Sequence, residues 1–512
     1  MTGSKINITG RIIAAPLGII TMITVFKMTD WPREQGIMAG IMVMAALLWV
    51  TEALPLFVTS LVVIAAEVIL LANPGGWGGL GFEVAAEPTF KTILNASVSP
   101  ILVLFFAGLV MSRAAVNEKV DQNMASWLLR PYVGSRKLLL FGVIGVTALF
   151  SMWMSNTATT AFMLTLTMPL LAQINPSDPY RKGLLLAVPF AANIGGLGTP
   201  IASPPNAIAL GYLRSADINV TFASWMMVAV PLMIVLLGVL GWVLLKLYGR
   251  SGQEGTGFTL PVSSLGKRAK WVVGVFVFTA TLWLTEGVHG LPASVVSLVP
   301  VVALLVGGFV SQKDINRLEW DVLILIAGGL ALGYGLSVTG LDSRIVAILP
   351  SGAVGMGLIA TLVIATSVLS TLISNSAVAN LILPIGLAAA YGQPGVLAVM
   401  LPIALAASLA MGLPVSTPPN AMAYARGELA VSDMAKAGIP IGLFGISVIL
   451  LGAMVYMWIL LSEKADPLID FETESHSTMH QLTPCLSKIP VPPPTIYRFA
   501  SSPLEHSVAC NV

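Results

Sequence analysis

Ser155-Asn156-Thr157 and Ser374-Asn375-Ser376 are two copies of one short polar pattern, about 220 residues apart. Each is followed by a proline turn, Ser203-Pro204-Pro205-Asn206 after the first and Thr417-Pro418-Pro419-Asn420 after the second. Hydroxyl and amide oxygens can coordinate a cation, and hydroxyl and amide protons can donate to a carboxylate. The first copy sits in Ser151 to Thr160, where seven of ten residues are Ser, Thr, Asn or Ala. A helix broken there would turn free N–H groups and positive partial charge toward an anion, while unwound carbonyls bind sodium. Proline lacks an N–H and disrupts helices. The proline turns, with Gly195-Gly196 and Gly412 upstream, should therefore break their helices and free the carbonyls of Ala202, Ser203, Ser416 and Thr417. One such triplet is most simply a packing motif. A duplicated triplet with a duplicated turn points to a binding site, because paired interruptions in two halves mark the site of a transporter.

The surrounding sequence sets the medium. Of 512 residues, 56% are hydrophobic and only 10% charged, where a soluble domain would be about a quarter charged. Many apolar runs reach the ~20 residues that span a bilayer, and the short alternating segments of a β-barrel are absent. The fold class is all-α and polytopic. Residues 138–177, 183–213 and 345–425 contain no Asp, Glu, Lys or Arg, and both triplets and both turns lie within them. An anion bound there must be held by neutral groups, dipoles or a co-bound cation. The net charge of +2 says little.

Enzyme chemistry finds no support. The two cysteines, Cys485 and Cys510, lie in the C-terminal tail, and His289 alone precedes that tail, so no zinc site or histidine triad is expected in the membrane core. Glu52 and Glu286 could carry protons or bind cations, but a structural role is the simpler expectation. His289 and Arg426 are equally ambiguous, and Trp153 and Met154 are expected to pack.

Spans are expected near 12–27, 36–54, 56–73, 137–171, 183–212 and 222–248, then 270–288, 290–310, 355–390, 396–425 and 437–462. Pro100–Ala115 and Asp321–Ser337, apolar and glycine-bearing after polar lead-ins, read as re-entrant hairpins, with an ordinary transmembrane helix as the alternative. Leu48-Trp49-Val50-Thr51-Glu52 recurs as Leu282-Trp283-Leu284-Thr285-Glu286, each followed by Leu-Pro. The chain is thus a duplication, with membrane repeats at 10–250 and 268–463, a cytoplasmic linker at 251–267 and a polar, disordered tail at 464–512. An odd number of crossings per half would invert one copy. The basic stretches 246–270 and 113–137 should be cytoplasmic loops. Lys5 and Arg11 precede an uncleaved first helix and place the N-terminus in the cytoplasm.

The paired triplets and proline turns resemble the divalent-anion/sodium symporter family, the sodium-coupled dicarboxylate, citrate and sulfate transporters, over about residues 10–463. The resemblance implies about eleven transmembrane helices plus two re-entrant hairpins in inverted repeats, scaffold and transport domains, a homodimer in the bilayer and an elevator-like mechanism. It places Asn156, Thr157, Asn375 and Ser376 against substrate carboxylates, with Thr417 and Pro418 nearby. One sodium ion would sit against Ser151, Ser155, Asn156 and the Ala202 carbonyl, the other against Ser370, Ile373, Asn375 and the Ser416 carbonyl. No organic cofactor is implied. Ser376 and Ser203 stand where dicarboxylate transporters carry threonine, which alters packing and opens the way to an anion such as sulfate. The leading expectation is sodium-coupled symport of a C4 dicarboxylate (succinate, malate or fumarate). The alternatives are a sulfate symporter, a sodium-independent exchanger and, in another class, a channel or arsenite-pump-like permease.

Overall fold

The structure, a computed structural model, describes residues 8–28, 30–78, 81–83, 88–249, 258, 265–348, 355–390 and 395–464. The linker at 251–267, apart from 258 and 265–267, and the tail with Cys485 and Cys510 lie outside the described residues. The chain divides into two units, Met1–Trp458 and Ile459–Val512, and of the second only residues 459–464, which are helical, are described.

Every regular element among the described residues is helical. α1 (Ile8–Met28), α2 (Arg33–Thr51) and α3 (Leu56–Ala66) come first, and α3 runs on into a π-helical turn, Glu67–Leu71. α4 (Phe90–Ser97), α5 (Pro100–Asn117) and α6 (Val120–Leu129) follow. Next come α7 (Arg136–Ser151), α8 (Asn156–Leu171), α9 (Tyr180–Gly195), α10 (Pro204–Ser215) and α11 (Phe222–Tyr248). α12 (Lys267–Leu284) leads through the short α13 (Glu286–His289), α14 (Ala293–Val296), α15 (Leu298–Val306) and α16 (Gln312–Ile315) to α17 (Trp320–Thr339) and α18 (Leu341–Ile348). α19 (Met356–Leu372), α20 (Asn375–Ala390), α21 (Val396–Ala407), α22 (Pro418–Tyr424) and α23 (Val431–Lys464) complete the chain. Five described helices are long and apolar enough to cross a membrane, and six shorter ones are apolar. Their outward faces carry large apolar side chains such as Met227, Ile234 and Trp242, as lipid demands.

The five helices α7 to α11 recur in order as α19 to α23. Interior prolines recur with them, Pro169, Pro189 and Pro231 in the first set and Pro384, Pro402 and Pro440 in the second. The Leu-Trp motifs also do the same work twice. The buried Trp49 indole donates to the Leu56 carbonyl at 3.2 Å, and the buried Trp283 indole to that of Ala293 at 3.1 Å.

The hairpin expectation needs correction. Pro100–Ala115 and Asp321–Ser337 each lie inside one unbroken helix, α5 and α17. Their glycines admit neighbours rather than turns. A Cβ on Gly329 would fall 1.9 Å from Asn380 Oδ1, and one on Gly333 1.9 Å from the Tyr212 ring. The helix–turn–helix pairs are instead α7–α8 and α19–α20, inside the stretches expected to be single spans. Each arm has 16 or 17 residues, at or below the ~17–25 that a spanning helix needs. The stretch 113–137, expected to be a loop, contains the end of α5 and all of α6.

The apolar interior forms two clusters. One gathers Ile37, Met38, Trp49 and Val63 with Leu325, Leu332 and Leu336 of α17. The other, larger, takes Leu323, Ile326 and Leu330 of the same helix. α17 therefore lies between two cores and contributes to both.

Candidate functional site

Both triplets and both proline turns line one cavity of about 530 Å³. Asn156, Thr157, Asn375, Ser376, Thr417 and Pro418, the residues expected to face substrate, all lie in its wall, as do Ser155, Ala202 and Ser416. Four helices begin there. α8 starts at Asn156 behind its N-cap Ser155, whose hydroxyl accepts from Ala158 N at 3.2 Å. α20 starts at Asn375, and α10 and α22 start at Pro204 and Pro418. First-turn N–H groups have no partner within their own helix. At the triplets the Ala158 N–H is taken by the Ser155 hydroxyl, which leaves those of Asn156, Thr157, Asn375 and Ser376 for an anion. At the turns, prolines in the first two positions remove them, so the turns offer carbonyl oxygens instead. The triplets thus supply donors and the turns supply acceptors.

The asparagines of the two turns hold their unwound loops. Asn206 Nδ2 donates to the Gly196 and Thr199 carbonyls, both at 2.8 Å. Asn420 Nδ2 donates to those of Leu413 at 2.9 Å and Met411 at 3.3 Å. Asn193 joins the halves, its Nδ2 donating to Thr417 Oγ1 at 3.2 Å and Asn420 Oδ1 at 3.1 Å. Sequence reasoning assigned these three no role, although the repeated Pro-Pro-Asn signalled two of them. Asn156 also presses on the first loop, since a Cβ on Gly196 would fall 2.4 Å from its Oδ1.

The two expected cation sites differ in how far their oxygens are already engaged. Ser151, fully buried, donates to Asn156 Oδ1 and has the Ala192 carbonyl at the same 2.7 Å. In the second half, Ser370 Oγ and Asn375 Oδ1 are buried without a partner. Ser416 Oγ donates to the Thr371 carbonyl at 2.8 Å, and Ile373 is the extended residue at the end of α19. Orphaned buried oxygens are costly unless something occupies them. The oxygen-only donor set suits a hard cation.

Among the described residues that line the cavity there is no Lys, Arg or His, but three carboxylates reach it, Glu52, Glu319 and Asp321. They come from outside the uncharged stretches and only the fold brings them in. Glu52 sits in the left-handed region (φ 48°) at the end of α2. Glu319, just before α17, accepts from Ser155 Oγ at 2.9 Å. Glu286, the repeat counterpart of Glu52, is buried outside the cavity, and Arg426 also lies outside it. His289 bonds the Leu282 carbonyl and accepts from Leu291 N, so it closes a turn. Trp153 stacks on Phe222, and Phe222 on Trp283, which is packing.

The profile of a family described as citrate transporter matches residues 46–400. An uncharacterised transporter of Haemophilus influenzae is 31% identical over 453 residues, covering 83% of this chain and 93% of its own length. The sodium-dependent dicarboxylate transporter SdcS of Staphylococcus aureus is 30% identical over 493 residues, covering 88% and 91%. Among solved structures, the YdaH transporter of Alcanivorax borkumensis superposes with a TM-score of 0.52 at 16% identity, over 81% of this chain and 98% of that one, a likeness of fold alone. The chain is an integral membrane transporter protein of the citrate transporter family, in the divalent-anion/sodium symporter group.

Proposed function

We propose that this protein is a secondary active transporter that imports a C4 dicarboxylate, such as succinate, malate or fumarate, together with sodium. The observation that carries the reading is the charge of the cavity: four helix starts, three carboxylates and no basic side chain. Helix N-termini favour an anion, yet a dianion beside fixed carboxylates needs cations to bind with it. The orphaned oxygens of Ser370 and Asn375 are places for one, and the relative named a sodium-dependent dicarboxylate transporter agrees. Sodium is cargo here.

Asn156, Thr157, Asn375 and Ser376 hold the carboxylates, with Thr417 and Pro418 beside them. Sodium ions bind at Ser151, Ser155, Asn156 and the Ala202 carbonyl, and at Ser370, Ile373, Asn375 and the Ser416 carbonyl. The membrane repeats 10–250 and 268–463 run in opposite senses. The position of α17 between two cores supports an elevator-type movement of a transport domain against a scaffold. The protein works as a homodimer in the cell membrane, with its N-terminus in the cytoplasm by the placement of Lys5 and Arg11. The serine in Ser376 and Ser203 favours a second reading, sodium-coupled sulfate transport, and a sodium-independent exchanger is the third.

Uptake of labelled succinate into proteoliposomes decides among them. Sodium-driven uptake blocked by malate supports the symporter. Sodium-driven sulfate uptake without succinate uptake supports the second reading. Uptake indifferent to sodium but dependent on internal dicarboxylate makes the protein an exchanger.

A further inference from the structure

Glu67 has no part in the site above. It opens the π-helical turn that ends α3, a geometry that recurs at functional positions in helices. Its side chain is fully buried, and neither carboxyl oxygen has a hydrogen-bond partner. Met38 of α2 and Gly335 of α17 close over it: a Cβ on Gly335 would fall 2.8 Å from Glu67 Oε1 and 2.7 Å from the Met38 sulfur. Among the described residues, no group of the elements packed against this turn bonds the carboxyl. α2 bears Arg33 and Glu34 in its first turn, α4 bears Lys91, α17 bears Asp321 and Tyr334, and the exposed Glu83 follows in the loop. None of them bonds Glu67.

An intramembrane carboxyl is costly and calls for a ligand that offsets its charge. Sodium, a hard cation, takes several oxygen ligands, and no other oxygen bonds here. A proton needs only the carboxyl itself. Tyr212 lines a second cavity of about 730 Å³ with Ser99, Arg214, Gly333 and Ser337. That cavity flanks the second half of α17, whereas the triplet cavity flanks its first turns. The Tyr212 ring presses on Gly333, and its hydroxyl donates to the Gly329 carbonyl.

We propose that Glu67 is a proton-binding site that exchanges its proton with the second cavity, which Gly333, two residues before Gly335 on α17, also borders, so that a proton moves with the anion in each cycle. On unloading, the carboxyl O–H bond breaks, the proton passes to water in the cavity, and a carboxylate remains until reloading reverses the step. The coupling rests on the transporter reading, but the proton site does not.

The test uses the full chain in proteoliposomes, wild type, E67Q and E67D, with labelled succinate, an inward sodium gradient and a trapped pH dye. Infrared difference spectra of wild type minus E67Q, in lipid without substrate, run alongside. Wild type is expected to acidify the lumen during uptake and to show the stretch of a protonated carboxyl. E67Q, checked for monodispersity, should keep succinate–succinate exchange while losing the acidification and the infrared band. E67D, which retains an acid, should keep proton movement at a lower rate. Equal acidification and an equal pH profile in E67Q, or no carboxyl band in wild type, would overturn the inference. A carboxyl band in wild-type protein that moves no dicarboxylate would support the proton site and sink the proposed function instead.

Discussion

At the scale of single residues, the triplet asparagines make the sharpest prediction. Each sits at the first position of a helix in the cavity wall. A hydrogen bond to a charged partner contributes about 1.5–3 kcal/mol, so Asn156→Ala or Asn375→Ala should lower succinate binding by about tenfold to about 150-fold. Size-exclusion profiles and thermal stability should stay near wild type. Near-normal binding by both variants would remove these residues from the site. Asn206 and Asn420 should behave differently, because they bond loop carbonyls. Asn420→Ala leaves the Met411 and Leu413 carbonyls without that donor and should cost about 1–3 kcal/mol of stability, read as a lower melting temperature alongside weaker uptake. The triplets were legible in the sequence because they occur twice in uncharged surroundings. Glu319 was not, since its bond to Ser155 spans 164 residues and no local pattern announces it.

At the scale of elements, helix existence was legible and helix breaks were only partly so. The proline turns announce their breaks, and α9–α10 and α21–α22 part there. The triplets suggest an interruption, but Ser, Asn and Thr end one helix and start the next without glycine or proline, so 137–171 and 355–390 still read as single spans rather than as helix–turn–helix pairs. Glycine misled in the other direction. In α17 it marks where Tyr212 and Asn380 approach the backbone, not a turn. Outside the spans, α16 makes a testable electrostatic contribution. The Ser311 hydroxyl and backbone N–H, then Arg113 at 2.6 Å, hold the Asp314 carboxyl well below the usual carboxylate range. A carboxyl whose folded value is depressed adds stability above its ordinary value, and loses it as pH falls from there through the folded value. Thermal stability in detergent should therefore decline below about pH 4, and Asp314→Asn should be less stable at neutral pH with a shallower acid decline. Parallel acid declines for the two proteins would show that this pair contributes nothing.

At the scale of the whole molecule, the question is how a cavity with three carboxylates and no basic side chain can hold a dianion. Two close negative charges repel by about 1 kcal/mol even at the dielectric of water, and by several at the lower effective dielectric near a protein. Helix N-termini return about half a charge each, which falls short of two substrate charges beside three fixed ones. In the proposed symport bound cations make up the difference, so substrate and sodium do not bind independently. Thermodynamic linkage then fixes a relation that no single-ligand measurement shows: whatever factor sodium adds to succinate affinity, succinate must add to sodium affinity. Calorimetry on the purified protein should find succinate binding in sodium and little or none in potassium. Titrating sodium with and without saturating succinate should return the same factor from the other side. Glu319→Gln removes one of the repelling charges while keeping a partner for Ser155, so it should weaken the sodium requirement of succinate binding. Succinate affinity equal in sodium and potassium would mean that dipoles alone hold the anion, and the cation sites around Ser151 and Ser370 would have no role in binding.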